Sequence, residues 1–219
     1  MAFSIEVFVN NSIRISTDMG AVYVDPFKMA NEPHDAAVVL ITHPHYDHMS
    51  PKDIEKVSCD KTILIVPESA KNKARTFASC VGEIRTMKAG GSMQIDDLKI
   101  EAIPAYNIFK IFHLKIYGWL GYIITVDGKR IYVAGDIDAI KEARAVKCDI
   151  AMVPIGGFYT MDPRQAAALI NEMKPEIAIP THYGSVIGKP EDADTFKSLV
   201  KEPTRVETAT TVPVTVNKL

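Results

Sequence analysis

Short apolar runs divided by turn residues fill the first quarter of the chain. Ile5 to Val9, Ser12 to Ser16 and Ala21 to Asp25 each read as a strand, and Asn10-Asn11 is hairpin-turn chemistry between the first two. Asp25-Pro26 stops the third. After a loop holding Asn31, Pro33 and Asp35, the run Ala36 to Ile41 reads as a buried strand. Ser50-Pro51-Lys52-Asp53 supplies an N-cap, a proline at the first helical position and an acidic first turn, so a short helix should run to about Val57. Thr62 to Val66 is a further strand. Ser69 to Ser79 is predicted helical, because Ala70, Ala74 and Phe77 recur at helical spacing.

The middle of the chain returns to strand patterns. Gly90-Gly91 marks a turn and Leu98 to Ile103 a strand. Gly121 to Val126, Asp127-Gly128 and Arg130 to Ala134 form a hairpin, with Asp-Gly as the two-residue turn. A helix is expected over Ala139 to Val146. The last third alternates: strand Asp149 to Pro154, helix from Asp162-Pro163 to Met173, strand Glu176 to Pro180, helix Glu191 to Val200. No linker or repeat interrupts the pattern. A single domain over residues 1–219 is expected, an α/β fold with two packed sheets and helices outside them.

Composition narrows the function classes. The net charge of −2 and pI near 6.3 give no footprint for nucleic acid. Met1 to Glu6 lacks a basic stretch followed by an apolar one, so no signal peptide is expected, and no run is long enough to span a bilayer. Cys59, Cys80 and Cys148 are odd in number and widely spaced, which fits free thiols in a reducing cytoplasm.

Chemistry concentrates in residues 43 to 48, His-Pro-His-Tyr-Asp-His, directly after a buried-type strand. His43, His45, Asp47 and His48 offer three imidazoles and a carboxylate within six positions, a donor set for zinc and its first-row neighbours. Asp136 and His182 each follow another apolar strand, where ligands gather in α/β folds. There is no G-x-S-x-G elbow and no phosphate-binding glycine loop to compete.

These segments resemble the metallo-β-lactamase superfamily: His43 to His48, Gly135-Asp136-Ile137-Asp138 and Pro180-Thr181-His182-Tyr183-Gly184 match its motifs. Ile103 to Asn107 and Gly156 to Pro163 are similar to its short single-domain branch, which includes L-ascorbate-6-phosphate-lactonase-like and other metal-dependent hydrolases. The resemblance implies an αββα sandwich. It implies one or two divalent ions, zinc foremost, with Mn and Fe served by the same ligands. By the same resemblance His43 and His45 would hold the first metal, Asp47, His48 and His182 the second, and Asp136 would bridge them. The family usually brings a further histidine to the first metal. His113 is the one histidine in that interval, and Tyr106-Asn107 stands where the histidine is expected, so either His113 reaches in, or Asn107 or Tyr106 substitutes, or the first site is weak.

The expected activity is hydrolysis of a lactone, ester or related bond of a small metabolite by a metal-bound hydroxide, with Asp47 steering the nucleophile and taking its proton. The alternatives are a phosphodiesterase or nuclease, or a non-catalytic metal-dependent binding protein. Tyr106, Asn107, His113, Tyr159 and Tyr183 are candidates to touch substrate. The aromatic insert holding Phe109, Phe112 and Trp119 would either clamp substrate or pack on the core or a neighbouring subunit of a homo-oligomer.

Overall fold

Alternation of apolar and polar side chains builds the first sheet of the computed structural model, which describes residues 2–215. β1 (Ala2–Val7), β2 (Ile13–Thr17) and β3 (Gly20–Val24) form an antiparallel meander. β4 (Ala36–Leu40), β5 (Ile63–Pro67) and β6 (Glu83–Met87) then add in parallel.

A second meander follows: β7 (Ser92–Ile95), β8 (Leu98–Pro104), β9 (Leu120–Val126) and β10 (Lys129–Val133). The Asp127-Gly128 turn has φ of 49° and 78°, the left-handed pair that such a two-residue hairpin needs. β11 (Ile150–Pro154), β12 (Ile177–Thr181) and β13 (Arg205–Val206) continue that sheet in parallel. β14 (Thr211–Thr215) returns to pair antiparallel with β1.

The chain thus forms two compact units. One runs from the N-terminus to Lys88 with the segment from Ala209 on, and the other is Ala89–Thr208. Each holds a seven-stranded mixed sheet, β14-β1-β2-β3-β4-β5-β6 in the first and β13-β12-β11-β10-β9-β8-β7 in the second. Parallel strands need covered faces, which is why Val38-Val39-Leu40 and Ala151-Met152-Val153 are apolar and buried at consecutive positions.

Each sheet carries helices. In the first unit α1 (Pro51–Val57) buries Ile54 and Val57 with Leu64, Val66 and Phe77 in one cluster. In the second, α3 (Lys141–Arg144), α4 (Pro163–Met173) and α5 (Asp192–Leu199) bury Leu169, Ile170 and Phe196 with Ala151, Val153 and Ala178. α4 starts at a capping box. The Asp162 carboxylate accepts from the Gln165 amide at 2.8 Å, and the Asp162 amide donates to the Gln165 side chain at 3.0 Å.

Two helices are shorter than their patterns predict. Over Ser69 to Ser79 only α2 (Lys71–Ala74) is α-helical, flanked by single 3₁₀ turns at Glu68–Ala70 and Arg75–Phe77. Ala70, Ala74 and Phe77 still share the buried side, so the spacing identifies the inner face without fixing the hydrogen-bond pattern. α3 is four residues, because Asp138 and Ile140 before it are held in an extended turn by the bond from the Ile140 amide to Asp138 O. Among the described residues no helix is long and apolar enough to cross a membrane.

Candidate metal centre

In the first unit the donors stand beyond the C-terminal end of β4, beside the end of its parallel neighbour β3. β4 ends at Leu40, and the chain turns tightly through His43 to His48, with the His48 and Met49 amides both bonded to His45 O. His43, Asp47 and His48 are buried, and His45 is half-buried.

β3 is followed directly by Asp25, a fully buried carboxylate with φ of 46°. It accepts from the Thr42 amide at 2.7 Å, the Thr42 hydroxyl at 2.6 Å and the Asn11 side chain at 2.8 Å. Its Oδ2 also lies 2.7 Å from His48 Nδ1. A carboxylate there holds the proton on Nδ1 and leaves the Nε2 lone pair for a cation.

Thr42 does the same for His43. Its single hydroxyl proton goes to Asp25, so Oγ1 accepts from His43 Nδ1 at 3.0 Å. His43 Nε2 and His45 Nδ1 then stand 3.0 Å apart, a spacing that suits two imidazoles on one ion. Asp47 Oδ2 takes a hydrogen bond from Asn10 Nδ2 at 2.9 Å and lies 3.8 Å from His48 Nε2. Asn10 reaches it from the β1–β2 turn in a left-handed conformation, φ 58°.

The second unit repeats the logic with β10, β11 and β12. Asp136 follows β10 through Gly135, and His182 follows β12 directly, in a left-handed conformation of φ 55°. Gly156 makes room for that turn after β11: a Cβ there would sit 2.3 Å from the His182 carbonyl oxygen. Both oxygens of Asp136 face imidazoles. Oδ1 lies 3.4 Å from His182 Nε2, and Oδ2 lies 3.2 Å from His113 Nε2. All three residues are buried.

His113 arrives on the long β8–β9 loop. The loop is closed at its neck by the Ala105 amide on Trp119 O, 2.9 Å, and inside by the Asn107 amide on His113 O, 2.7 Å. Asn107 Nδ2 bonds to Tyr159 O at 2.6 Å and approaches His113 Nδ1 at 3.2 Å. The amide therefore governs which nitrogen of His113 carries the proton, since its two ends offer opposite hydrogen-bond roles.

Of the other candidates to touch substrate, Tyr159 stacks edge-on with Phe112 and Phe158, with centroids 5.0 and 4.7 Å apart. Tyr106 and Tyr183 face the helix layer. The Tyr106 hydroxyl donates to Glu142 at 2.8 Å with Lys115 over its ring. Tyr183 packs on the helix-side core, where burial, aided by the Asp194 charge, raises its phenol. Lys110 and Lys115 are engaged in ion pairs with Asp138 and Glu142. His34 lies apart, its Nδ1 2.8 Å from Ser58 O.

The residues that can hold a metal ion are therefore His43, His45, Asp47 and His48 of the first unit and His113, Asp136 and His182 of the second. Sequence reasoning missed the residues that orient them: Asn10, Asn11, Asp25 and Thr42. Asp25 carried a readable signal, a carboxylate at the end of an apolar strand, the same mark that singles out Asp136.

A family model described as a β-lactamase superfamily domain matches residues 4–182. The chain belongs to the metallo-β-lactamase superfamily. Relatives include a UPF0173 metal-dependent hydrolase of Thermococcus onnurineus, 30% identical over 199 residues that cover 84% of this chain and 87% of the relative. A solved structure from Parabacteroides distasonis, assigned as a metal-dependent hydrolase, is 32% identical, with a TM-score of 0.75 over 93% of this chain and 92% of the other. Igni18, a metallo hydrolase from Ignicoccus hospitalis, shares the fold at a TM-score of 0.77 and 24% identity, over 99% of this chain and all of the other. Within this superfamily the chain is a metal-dependent hydrolase with α/β architecture, two mixed sheets and flanking helices.

Proposed function

We propose that the whole chain works as one domain, whose two sets of donors act as a single metal centre for zinc, with one or two ions bound. The family model supports this reading, because its one domain takes in residues of both sets. The proposed reaction is hydrolysis of a lactone, ester or related bond of a small metabolite.

The observation that carries the reading is Asp136, a buried carboxylate with each oxygen turned to a different imidazole. Carboxylates so placed suit a cation, or a pair of them, better than any role in the core. When bound, the ion supplies an activated water at neutral pH and positive charge for the developing oxyanion.

The chain's own residues do the remaining work. Asp25 and Thr42 keep protons on Nδ1 of His48 and His43, so both rings offer Nε2. Asn10 fixes the Asp47 carboxylate, which takes the proton of the nucleophile. Asn107, whose Nδ2 donates to Tyr159 O and lies 3.2 Å from His113 Nδ1, holds the His113 ring in place beside Asp136. His113 then stands in for the histidine that the family usually supplies.

Metal analysis of the purified protein beside His48→Ala and Asp136→Ala tests the centre; unchanged metal content in both variants would sink it. A panel of lactones, thioesters and phosphodiesters, each run with and without chelator, tests the chemistry. Chelator-sensitive lactone or ester turnover is expected. Turnover indifferent to chelator, or confined to phosphodiesters, goes against this reading.

A further inference from the structure

The loop that delivers His113 has two opposite faces. His113 is 2% exposed and turned to Asp136, while its chain neighbours Phe112 and Leu114 are exposed. Beyond them Phe109 is 94% exposed, Ile116 86% and Ile111 72%, and Phe158 on the β11–α4 loop is 72% exposed. Phe112 and Phe158 both stack on Tyr159, so the two loops present a joined apolar surface. Asn107 and Lys110 stitch the same loops through Tyr159 O and Thr160 O.

Size and charge point to what covers this surface. Ile108, Phe109, Ile111, Phe112, Ile116 and Phe158 together expose about 800 Å², taking roughly 200 Å² for each large side chain. The largest apolar patch of a typical monomer is about 300–600 Å². A stable interface takes roughly 800 Å² from each partner. A small substrate cannot cover such an area, and side chains this exposed project outward as knobs. The patch is also charge-compensated: Lys110 pairs with Asp138, and Lys115 with Glu142. An apolar surface without net charge is complementary to itself, the condition for a two-fold interface between identical subunits. With both lysines of the loop paired, neither is left as the free basic charge that draws a protein to an anionic membrane.

We infer that the loop from Ile108 to Tyr117, with Phe158, is a self-association face that docks on a second copy of this chain. Association covers the outside of the loop whose inside presents His113. Assembly thereby tightens metal retention, a consequence that rests on the proposed ligand role of His113, whereas the association itself does not.

Light scattering on size-exclusion chromatography across the micromolar range tests it. The wild type should have at least twice the chain mass of 24.1 kDa, and Phe109→Asp with Ile116→Asp should fall to 24.1 kDa with an unchanged circular-dichroism spectrum. A monomeric wild type overturns the inference, including one that floats with phosphatidylcholine vesicles instead, as does a folded double variant that keeps the wild-type mass. Loss of zinc to chelator is then timed for both. Release at least tenfold faster from the monomeric variant supports the coupling, and equal rates overturn the coupling while leaving the association intact.

Discussion

Asp25 Oδ2 stands 2.7 Å from His48 Nδ1 although they lie 23 positions apart in the chain. The contact exists because β3 and β4 are parallel neighbours, so both residues leave the sheet at the same edge. Asp25→Asn preserves volume but places an amide where a carboxylate received protons. The expected result is a 10- to 100-fold loss of metal affinity, the usual size for an outer-shell partner of a ligating histidine. Competition with a calibrated chelator measures it. Affinity within twofold of wild type would show that Asp25 serves the fold alone.

His113 and Asn107 separate by the same assay. His113→Ala should lower the metal content, whereas Asn107→Ala leaves the content at saturating zinc unchanged and weakens affinity about tenfold. Identical effects would place His113 outside the donor set.

Gly156→Ala tests the support behind His182. The added methyl would meet the His182 carbonyl oxygen at 2.3 Å and the Ile187 side chain at 2.6 Å, and the backbone oxygen cannot move aside as a side chain could. A loss of about 1–3 kcal/mol is expected from denaturant melts, in the range of other overpacked sites, with reduced metal content at the same time. A wild-type melting curve would show that the β11 loop yields freely.

Cys148 gives a prediction in pH. Burial, with the Asp149 charge second, pushes its thiol from 9.0 up to about 12. Because the folded pKa lies above the unfolded one, the thiol's contribution to stability is intact below pH 9 and drains away as pH rises toward 12. Native alkylation of Cys148 at pH 8 should accordingly run about a thousandfold slower than in the unfolded chain. Peptide mapping after timed iodoacetamide treatment reads this out, and rapid native labelling would contradict it.

The cap of α4 offers a control far from the donors. Asp162→Ala removes one half of the reciprocal bonds with Gln165 and should cost about 1 kcal/mol without altering metal content.

What could be read from the sequence follows burial. β4, β11 and β12 are covered on both faces, so they appear as continuous apolar runs, and the donors just beyond them stand out. β6, β7, β13 and β14 lie at or toward sheet edges and alternate with polar residues, as Thr211 to Thr215 does, so their patterns resemble loops. Pro213 adds to the disguise, being tolerated because β14 is an edge. Asp25 looks like a turn residue until its strand is paired with β4. The place of His113 depends on a loop fold set by backbone bonds, and no side-chain pattern announces these.

The neck between Ala105 and Trp119 has one more consequence. One hydrogen bond there joins the loop's ends, directly beyond the Pro104–Leu120 pair of β8 and β9, so the loop's length can change without altering the pairing of these two strands. The segment behaves as a cassette. Evolution, or an engineer, can exchange it for one of different length at little entropic expense. Each exchange would reset the proposed self-association face and the proposed metal donor together, because Phe109, Ile116 and His113 all travel in it.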